Sequence, residues 1–412
     1  MKETGELGDR LPDHPLFVSL FSRTTAGIRP GLDVIQDLLA RLGNPQDAVP
    51  ALHVAGTNGK GSVCAHAEAL LREAGVKVFL YTSPHLIRYN ERFRFDGQDV
   101  EDGPLVAILE RILAADEEAV GENPDRRGAT FFEVTTAAAF LLARELGAEV
   151  SVIETGLGGR WDATRVCRAE GCAITRIGKD HEAFLGDDVL GIAREKAGIM
   201  RPGVPVVVAP QRPEVMAVLH EEAEHVGADL IPLADEVAQH GFQACNAHHA
   251  RRLVGTFLEG RKESLPDGTL SIRWPGRFQQ VSEVPPMWID GAHNEEGVAA
   301  LIPLLEEAAG GRNIGLLFGF LADKDGARLA RRLASVVTTS WVVPVDHPRG
   351  ADEAQRQQAV AALPDAQAVN GLASGWEAAK HWALEQDGIV ILCGSLYLIG
   401  EALETTPWKE ND

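Results

Sequence analysis

One short segment carries residues whose types and spacing suit phosphate binding. Residues 53–63 read HVAGTNGKGSV, in which three glycines, a lysine and a serine follow an apolar run. Glycines let backbone N–H groups turn toward a bound anion, and the first turn of a following helix adds positive potential. Lys60 is then placed to reach the β- and γ-phosphates of a nucleotide, and Ser62 to lie beside a magnesium ion. The segment predicts a nucleotide-phosphate loop.

The elements on either side of this loop must position it. Ala51–Ala55 predicts a short buried strand, and Ser62–Ala74 predicts the helix that follows the turn. The spacing differs from the general G-x-x-x-x-G-K-[ST] pattern because Gly61 separates Lys60 from Ser62. The alternative is an ordinary glycine-rich turn between a strand and a helix, and the presence of both the lysine and the serine argues against it.

Three charged or titratable residues further along are candidates for metal chemistry. Glu154 follows an apolar strand, Val150–Ile153, and α/β sheets place their ligands at this carboxyl end. Its oxygens suit magnesium. Taken singly, Glu154 could cap a helix or form a salt bridge, and His181 could be a core or loop histidine. Lys196, within the charged run 194–196, could lie on a solvated helix face.

Short motifs run along nearly the whole chain. They are GTNGKGS at 56–62, TSPHL at 82–86, NER at 90–92, FFE at 131–133, ETGLGGRWDAT at 154–164, DH at 180–181, LG at 185–186, REKAGI at 194–199, PGRF at 275–278 and DGAHN at 290–294. In this order they resemble the motifs of the folylpolyglutamate synthase and dihydrofolate synthase family, within the Mur ligase superfamily.

The resemblance implies an ATP-dependent amide ligase. In that family ATP activates a carboxylate as an acyl phosphate, an amine attacks it to form an amide, and ADP and phosphate are released. The small-molecule partners would be ATP, L-glutamate and either dihydropteroate or tetrahydrofolate, and we expect a bifunctional enzyme. The implied fold is a P-loop-containing, parallel-sheet ATPase domain of Mur-ligase type, followed by a smaller Rossmann-like α/β domain.

The resemblance also implies two magnesium ions as cofactors. Ser83 and Glu154 would hold the first ion, and His181 and Lys196 would serve the second, with Glu154 bridging. Because an ammonium group cannot bind a cation, the family pattern implies that Lys196 is carbamylated with carbon dioxide. Lys60, His181 and Lys196 are therefore the catalytic candidates.

Nucleotide and folate contacts follow from the same resemblance. The ATP-binding residues would be Gly56, Thr57, Asn58, Gly59, Lys60, Gly61, Ser62, Arg277, Asp290 and His293. The loop 156–164 would lie against the pterin ring, with Asp162 and Ala163 beside it. Phe132 would stack on the ring, with a core aromatic as the alternative. We expect the active site in the cleft between two domains, with hinge motion limiting access.

Basic residues near the second motif are open to two interpretations. His85 and the arginines at positions 88, 92 and 94 could attract folate or glutamate carboxylates, or could form a solvated face. The pair His248–His249 has no supporting ligand pattern and is predicted to lie on the surface.

The chain departs from the family pattern at five positions. They are Trp161, Arg165, Lys179, Glu182 and Glu295, where the family usually carries Leu, Asn, Leu, Thr and Pro. Three of these positions, 161, 165 and 182, are close in sequence to residues expected near the pterin or the metals. The departures bear on substrate preference more than on the reaction.

Composition bounds the class of protein. The 412 residues carry a formal net charge of −21 and are 45% hydrophobic and 24% charged, which is ordinary for a globular protein and excludes a disordered chain. The acidity argues against a nucleic-acid partner. No signal-like or membrane-spanning run appears, and five scattered cysteines fit reduced thiols. Half a metal site at Cys167 and Cys172 is the minor alternative. We expect a cytoplasmic monomer without a membrane partner.

Strands alternating with helices predict two α/β domains with mainly parallel sheets. The pattern breaks near Ser282–Pro286, where a glutamate and two prolines occur, so we expect domains at 1–282 and 283–412. Strands of the second domain are predicted at Met287–Ile289, Ile314–Phe318, Trp341–Val345 and Ile389–Leu392.

Two other classes compete with the folate ligase. A Mur-type peptidoglycan ligase would share the ATPase core but usually carries a separate N-terminal domain, for which too few residues precede Gly56. A P-loop regulatory module that hydrolyses ATP slowly is the third possibility. Glu154, His181 and Lys196 argue against it, since a simple switch needs no second metal site.

Overall fold

The computed structural model describes residues 14–26, 31–180, 186–266, 272 and 274–405. These residues form two compact units. The first contains the described residues of 14–85 and 89–272, and the second contains residues 86–88 and 274–405. Each unit is an α/β structure with its own sheet, so the predicted fold class is confirmed.

The first unit is built on an eight-stranded sheet, as far as its described residues show. Its strands are β1 Ala51–Ala55, β2 Val78–Tyr81, β3 Phe93–Phe95, β4 Gln98–Asp99, β5 Val150–Glu154, β6 Ala169–Ile174, β7 Pro205–Val208 and β8 Asp229–Pro232. The order is β4-β3-β2-β5-β1-β6-β7-β8, and only β3 runs opposite to the other strands, since it pairs antiparallel with both β2 and β4. The sheet therefore places the carboxyl ends of β1, β2, β5 and β6 side by side at one edge.

Helices cover this sheet. They are α1 Pro15–Ser22, α2 Asp33–Arg41, α3 Lys60–Glu73, α4 Asp102–Glu122, α5 Phe131–Glu145, α6 Val189–Ala197, α7 Pro213–Val226 and α8 Phe242–Arg261. Every residue of β1 and β5 is buried. Apolar runs of this kind need cover on both faces of the sheet. β1, which lies between β5 and β6, is therefore a central strand of the unit.

Local capping explains where two of these helices begin. Helix α5 starts at Phe131, ahead of the apolar run, because Thr130 and Glu133 form a reciprocal capping box. Helix α3 starts at Lys60, two residues before the predicted Ser62, because Gly59 caps it in a left-handed conformation with φ 93°.

The second unit contains a six-stranded sheet within the described residues, in the order β13-β12-β11-β14-β10-β9. Its strands are β9 Gln279–Glu283, β10 Pro286–Ile289, β11 Ile314–Phe318, β12 Thr339–Val342, β13 Ala366–Ala368 and β14 Ile389–Cys393. Its helices are α9 Glu295–Ala309, α10 Gly326–Leu333, α11 Glu353–Val360, α12 Leu372–Gln386 and α13 Leu396–Thr405. All strand pairs but β9–β10 are parallel.

The boundary expected after residue 282 lies too late in the sequence. β9 pairs antiparallel with β10, so residues 279–283 belong to the second sheet. The prolines at 285 and 286 and Glu283 mark the turn of a hairpin rather than a linker. Proline is tolerated there because β9 is an edge strand and β10 begins at Pro286.

The cysteines and His249 are more buried than the sequence suggests. Four of the five cysteines are buried and Cys245 is partly exposed, and all five are free thiols. His249 is predicted on the surface but is fully buried, because α8 packs over β7. The His249 Nε2 atom donates to the carbonyl of Val207 at 2.9 Å.

None of the helices in the described ranges has the length and apolar character that a bilayer crossing requires.

Candidate active site

The glycine-rich loop turns sharply as it leaves β1. Gly56 has φ 146°, and a Cβ atom there would lie 1.7 Å from the Thr175 Oγ1 atom, so only glycine fits. The Thr57 hydroxyl donates to the Gly178 carbonyl at 3.0 Å and accepts from the Gly178 N–H at 3.1 Å. The loop is thereby attached to the segment that follows β6.

Three polar groups around this loop find no hydrogen-bond partner among the described residues. They are the Ser62 Oγ, the Thr175 Oγ1 and the Asn246 Nδ2 atoms, and all three side chains are buried. Asn246 of α8 lies against Gly59, where an added Cβ would meet its Oδ1 at 2.6 Å. Because buried polar groups rarely stay unpaired, these atoms indicate a polar ligand at the loop.

Sequence reasoning found Ser62 but missed Thr175 and Asn246. Thr175 directly follows β6, the neighbour of β1, so its position at the strand end was a usable signal. Asn246 sits on the inward face of α8, whose apolar periodicity was not recognised.

Two lysines meet at the loop backbone. Lys60 Nζ donates to the Thr57 carbonyl at 3.2 Å, and Lys196 Nζ donates to the Gly56 carbonyl at 2.7 Å. Burial, followed by the charge of Lys60, lowers the pKa of Lys196 to about 7. A substantial fraction of this amine is therefore uncharged at neutral pH.

Glu154 and Ser83 lie together at the carboxyl ends of adjacent strands. Glu154 ends β5 and is 5% exposed, and its Oε2 atom accepts from the backbone N–H of Ser83, just beyond β2, at 3.0 Å. A carboxylate beside a serine and a phosphate loop is the donor set that magnesium takes when substrate phosphates complete its shell.

Only part of the second predicted metal site lies within the described residues. His181 lies outside the described residues, as does Glu182. Within the described ranges, no three His, Cys, Asp or Glu side chains converge as a metal cage. Lys196 is brought to the loop, next to the predicted nucleotide phosphates.

The loop 156–164 packs tightly on the carboxyl end of α6. A Cβ on Gly159 would lie 2.8 Å from the Glu195 carbonyl oxygen, and the Arg160 N–H donates to the same carbonyl at 2.9 Å. The Arg160 guanidinium pairs with Glu222 at 2.9 Å. The positive charge of Arg160 is therefore paired within the protein.

Asp162 holds this loop in place. Its Oδ2 atom accepts from the Leu157 N–H at 2.8 Å, and Oδ1 accepts from the N–H and the hydroxyl of Thr164. The Thr164 hydroxyl in turn accepts from Nε2 of the buried His53 in β1 at 2.8 Å. Burial raises the pKa of Asp162. The hydrogen bonds to its carboxylate fix the loop backbone beside Ala163, which is also buried.

Phe132 lies where the predicted folate loop begins. A Cβ on Gly156 would meet the Phe132 ring at 2.4 Å, so the ring rests directly on the glycine backbone. The ring is half-buried, and its centroid is 6.3 Å from that of Tyr81. Phe132 thus packs against the core and keeps part of its surface open to a ligand.

The basic residues of the second motif do not form one cluster. Arg92 is buried, donates from Nε to His85 Nδ1 at 2.7 Å, and lies 5.3 Å from the Phe131 ring centroid. Arg94 instead pairs with Glu68 and Asp99. Arg88 is exposed and belongs to the second unit. Arg92 is the one of the three that is held in an aromatic environment.

The predicted nucleotide residues of the second unit meet around one turn. Asp290 accepts from the Phe278 N–H at 2.7 Å and from the Ala292 N–H at 2.8 Å. A Cβ on Gly291 would lie 2.3 Å from Arg277 Nη1, and His293 Nδ1 donates to the Gly291 carbonyl at 2.7 Å. Burial raises the pKa of Asp290, and Arg277 opposes that rise.

Two of the family departures have a visible structural setting. Trp161 is 53% exposed, between the paired Arg160 and the buried Asp162. Glu295 begins α9 and pairs with Arg328 and Arg332 of α10. An acidic residue is favourable in the first turn of a helix, so Glu295 replaces the helix-starting proline with a link between two helices.

Comparison with known proteins identifies the family of this chain. Residues 276–396 match the family described as Mur ligase, glutamate ligase domain. The dihydrofolate synthase/folylpolyglutamate synthase of Bacillus subtilis is 31% identical, over 93% of this chain and 96% of that protein. The Escherichia coli enzyme of the same description is 33% identical, over 91% and 90%.

Solved structures agree as well. E. coli FolC in complex with DHPP and ADP superposes with a TM-score of 0.82 at 30% identity, covering 96% of this chain and 98% of that one. A Yersinia pestis bifunctional folylpolyglutamate synthase/dihydrofolate synthase complexed with AMPPNP and Mn gives 0.82 at 30% identity, covering 96% and 99%. With the phosphate loop, the Ser83–Glu154 pair and Lys196 in place, this chain belongs to the dihydrofolate synthase/folylpolyglutamate synthase family of Mur ligases.

Proposed function

We propose that this protein is an ATP-dependent ligase that adds L-glutamate both to dihydropteroate and to reduced folates, with release of ADP and phosphate. The observation that carries the proposal is the convergence of Lys60 and Lys196 on the phosphate-loop backbone. A carboxylate and a serine lie at neighbouring strand ends. Phosphoryl transfer relies on such positioning and on fixed positive charge.

The phosphate loop would bind and orient the nucleotide. Residues Gly56–Ser62 supply backbone N–H groups and the start of α3, where the helix dipole favours an anion. Lys60 adds a full charge that can stabilise the transferring phosphoryl group. The unpaired groups of Ser62, Thr175 and Asn246 are the donors we assign to nucleotide or metal contacts.

Ser83, Glu154 and the Ser62 hydroxyl fit a magnesium ion held beside the phosphates. The ion would supply charge neutralisation on the phosphate oxygens. Glu154 already accepts from the Ser83 N–H, which fixes the orientation of its carboxylate before any ligand arrives. We propose a second magnesium ion served by Glu154, His181 and Lys196.

Lys196 is suited to carbamate formation. Its amine is buried, has a pKa of about 7 and forms no ion pair with any described residue. The neutral nitrogen would add its lone pair to carbon dioxide, forming a C–N bond, while the proton leaves to solvent. The positive side chain then becomes an anionic oxygen donor, as a metal site requires.

The acceptor would lie along the Gly156–Thr164 loop. The half-buried face of Phe132 offers a stacking surface, and Asp162 and Ala163 hold the loop against it. Arg92, buried beside aromatic rings, can receive a carboxylate of the acceptor or of glutamate. We propose that Arg277, Asp290 and His293 also contact the nucleotide.

A direct assay tests the proposal. Purified protein is incubated with ATP, magnesium and labelled glutamate, and dihydropteroate and tetrahydrofolate are offered in separate reactions. We expect label in both products, together with stoichiometric release of phosphate. Incorporation with one acceptor only would reject bifunctionality, and incorporation with neither would reject the folate-ligase function. We also propose a monomer acting in the cytoplasm, and light scattering during turnover tests the oligomeric state.

A further inference from the structure

Two arginines lie together in the first unit without a carboxylate partner. Arg165 and Arg201 are both half-buried. Arg201 Nη2 donates to the main-chain carbonyl of Arg165, so the two side chains share one neighbourhood. Neither guanidinium forms an ion pair with a described residue, whereas nearby Arg160 and Arg168 pair with Glu222 and Glu170.

Their surroundings do not neutralise them. Burial and the charge of Arg201 lower the pKa of Arg165 to about 10. The thiols beside them, Cys167 and Cys172, each have a pKa raised to about 12 by burial and are uncharged at neutral pH. His53 behind them is held neutral as well, because burial and the two arginines lower its pKa.

Helix capping accounts for only part of this charge. Arg165 Nε donates to the Gly198 carbonyl, and Arg201 Nη1 donates to the carbonyls of Ile199 and Met200, just after α6 ends. The carboxyl end of a helix carries roughly half an elementary negative charge. Two full positive charges exceed that, and desolvated cations normally take an anionic partner.

Arg165 keeps donors available for such a partner. Its Nη1 and Nη2 atoms donate to no described residue, and neither is sealed from solvent. With Nε anchored on Gly198, the outer edge of the guanidinium presents two parallel N–H groups. That edge matches two oxygens of a carboxylate or phosphate.

We propose that Arg165 and Arg201 form a binding site for a small oxyanion, separate from the phosphate loop. The ligand is a phosphate or carboxylate group that takes two hydrogen bonds from Arg165 while Arg201 adds charge behind it. Arg165 follows directly on the folate loop that ends at Thr164. One source of the anion is therefore the glutamate tail of a bound folate, which rests on the proposed function, and the other is free phosphate.

Calorimetric titration with inorganic phosphate tests the site without any need for turnover. Phosphate can also enter the nucleotide loop, so the titration is made in a Lys60→Ala background. We expect binding to persist there, to weaken at least about tenfold in Arg165→Asn, and to be unchanged in the control Arg168→Asn, whose arginine already pairs with Glu170. Arg165→Lys keeps the charge but loses the paired donors, so its phosphate affinity should lie between that of the Lys60→Ala parent and that of Arg165→Asn.

Three results would overturn the proposal. They are loss of all phosphate binding with Lys60→Ala, unchanged affinity in Arg165→Asn, and equal weakening by Arg168→Asn. Circular dichroism of Arg165→Asn and Arg165→Lys separates a binding defect from misfolding. Pteroyl monoglutamate and triglutamate then identify the source. A loss of affinity in Arg165→Asn for the triglutamate, alone or together with the monoglutamate, assigns the folate tail, and unchanged affinity for both folates assigns free phosphate. Failure of glutamate incorporation leaves the phosphate result unaffected.

Discussion

At the scale of single residues, the site depends on groups held against the backbone of one loop. Lys60 and Lys196 both reach carbonyls of the segment Gly56–Thr57, and Thr57 is held from the other side by Gly178. Burial, and then the charge of Lys60, lowers the pKa of Lys196, and this difference separates the roles of the two lysines.

Lys60 carries the charge that phosphoryl transfer needs. We expect Lys60→Ala to reduce glutamate incorporation by about a thousandfold or more with either acceptor, since one fixed donor at developing charge is worth this much. The steady-state rate with saturating ATP measures it. Lys77→Ala removes an exposed lysine next to β2 and should leave the rate unchanged. Near-normal turnover in Lys60→Ala would show that the loop is misassigned.

Lys196 should carry a carbamate. Protein equilibrated with ¹³C-labelled carbon dioxide is expected to show one carbamate carbon resonance that disappears in Lys196→Arg, because an arginine does not supply a neutral amine. Removing carbon dioxide from the assay buffer should lower activity in the wild type. A spectrum without this resonance, in protein that turns over normally, would contradict the assignment.

Glu154 should act through magnesium. We expect Glu154→Gln to raise the magnesium concentration for half-maximal activity by about tenfold, because an amide oxygen is a weaker ligand than a carboxylate. Magnesium titration at fixed ATP gives the value. The control is Glu149→Gln, at an exposed carboxylate of the same region. An unchanged magnesium requirement would remove Glu154 from the metal site.

The residues that sequence could identify are those within contiguous motifs. Lys60, Ser83, Glu154 and Lys196 each occur in a run whose spacing was informative, and the structure brings them to one edge of the sheet. Asn246 could not be identified from the sequence. It lies against the phosphate loop only because α8 packs on α3, which brings together residues far apart in sequence. Whether these residues bind ATP or folate is for the assays to establish.

At the scale of elements, the strands were easier to predict than the helices. β1, β11 and most of β14 follow from short apolar runs bounded by turn residues. Helix α4 was missed although Leu105, Leu109 and Ile112 recur at helical spacing. The hairpin β9–β10 was interpreted as a domain boundary because prolines usually interrupt strands, and its edge position is a tertiary property.

Helix α8 contains an acid-sensitive contact. Burial lowers the pKa of His249 to about 4, against an ordinary value of 6.5. The unfolded chain therefore binds the proton first as the pH falls. Stability from this residue is present above pH 6.5 and is lost as the pH falls from 6.5 toward 4, by up to about 3 kcal/mol.

Urea unfolding at pH 7 and pH 4.5 measures this effect. His249→Gln can still donate to the Val207 carbonyl but does not titrate, so we expect it to lose less stability on acidification than the wild type. His248→Gln, at the exposed neighbour, should behave as the wild type. Equal acid sensitivity in all three proteins would show that His249 is not responsible.

At the scale of the whole molecule, the chain carries a formal net charge of −21. Lys60 and the neighbouring arginines Arg165 and Arg201 provide local positive charge, so global acidity does not prevent binding of anionic ligands. Local fields at the site act over distances shorter than the dimensions of the protein.

The excess negative charge should nevertheless destabilise the folded chain. Like charges repel more strongly in the compact state, and salt screens them. We expect the thermal unfolding midpoint to rise when sodium chloride is increased from low concentration to about 0.3 M, where the Debye length is below about 8 Å. Differential scanning calorimetry gives the midpoint. A fall with added salt would mean that surface ion pairs outweigh the repulsion.

The cysteine distribution makes the nucleotide loop observable in solution. Four thiols are shielded by the core, so a mild thiol reagent applied to the folded protein should modify Cys245 first. That cysteine is adjacent to Asn246, which lies against Gly59. A fluorophore attached there would sit beside the loop with no engineered mutation, and its emission would report occupancy of the loop in real time.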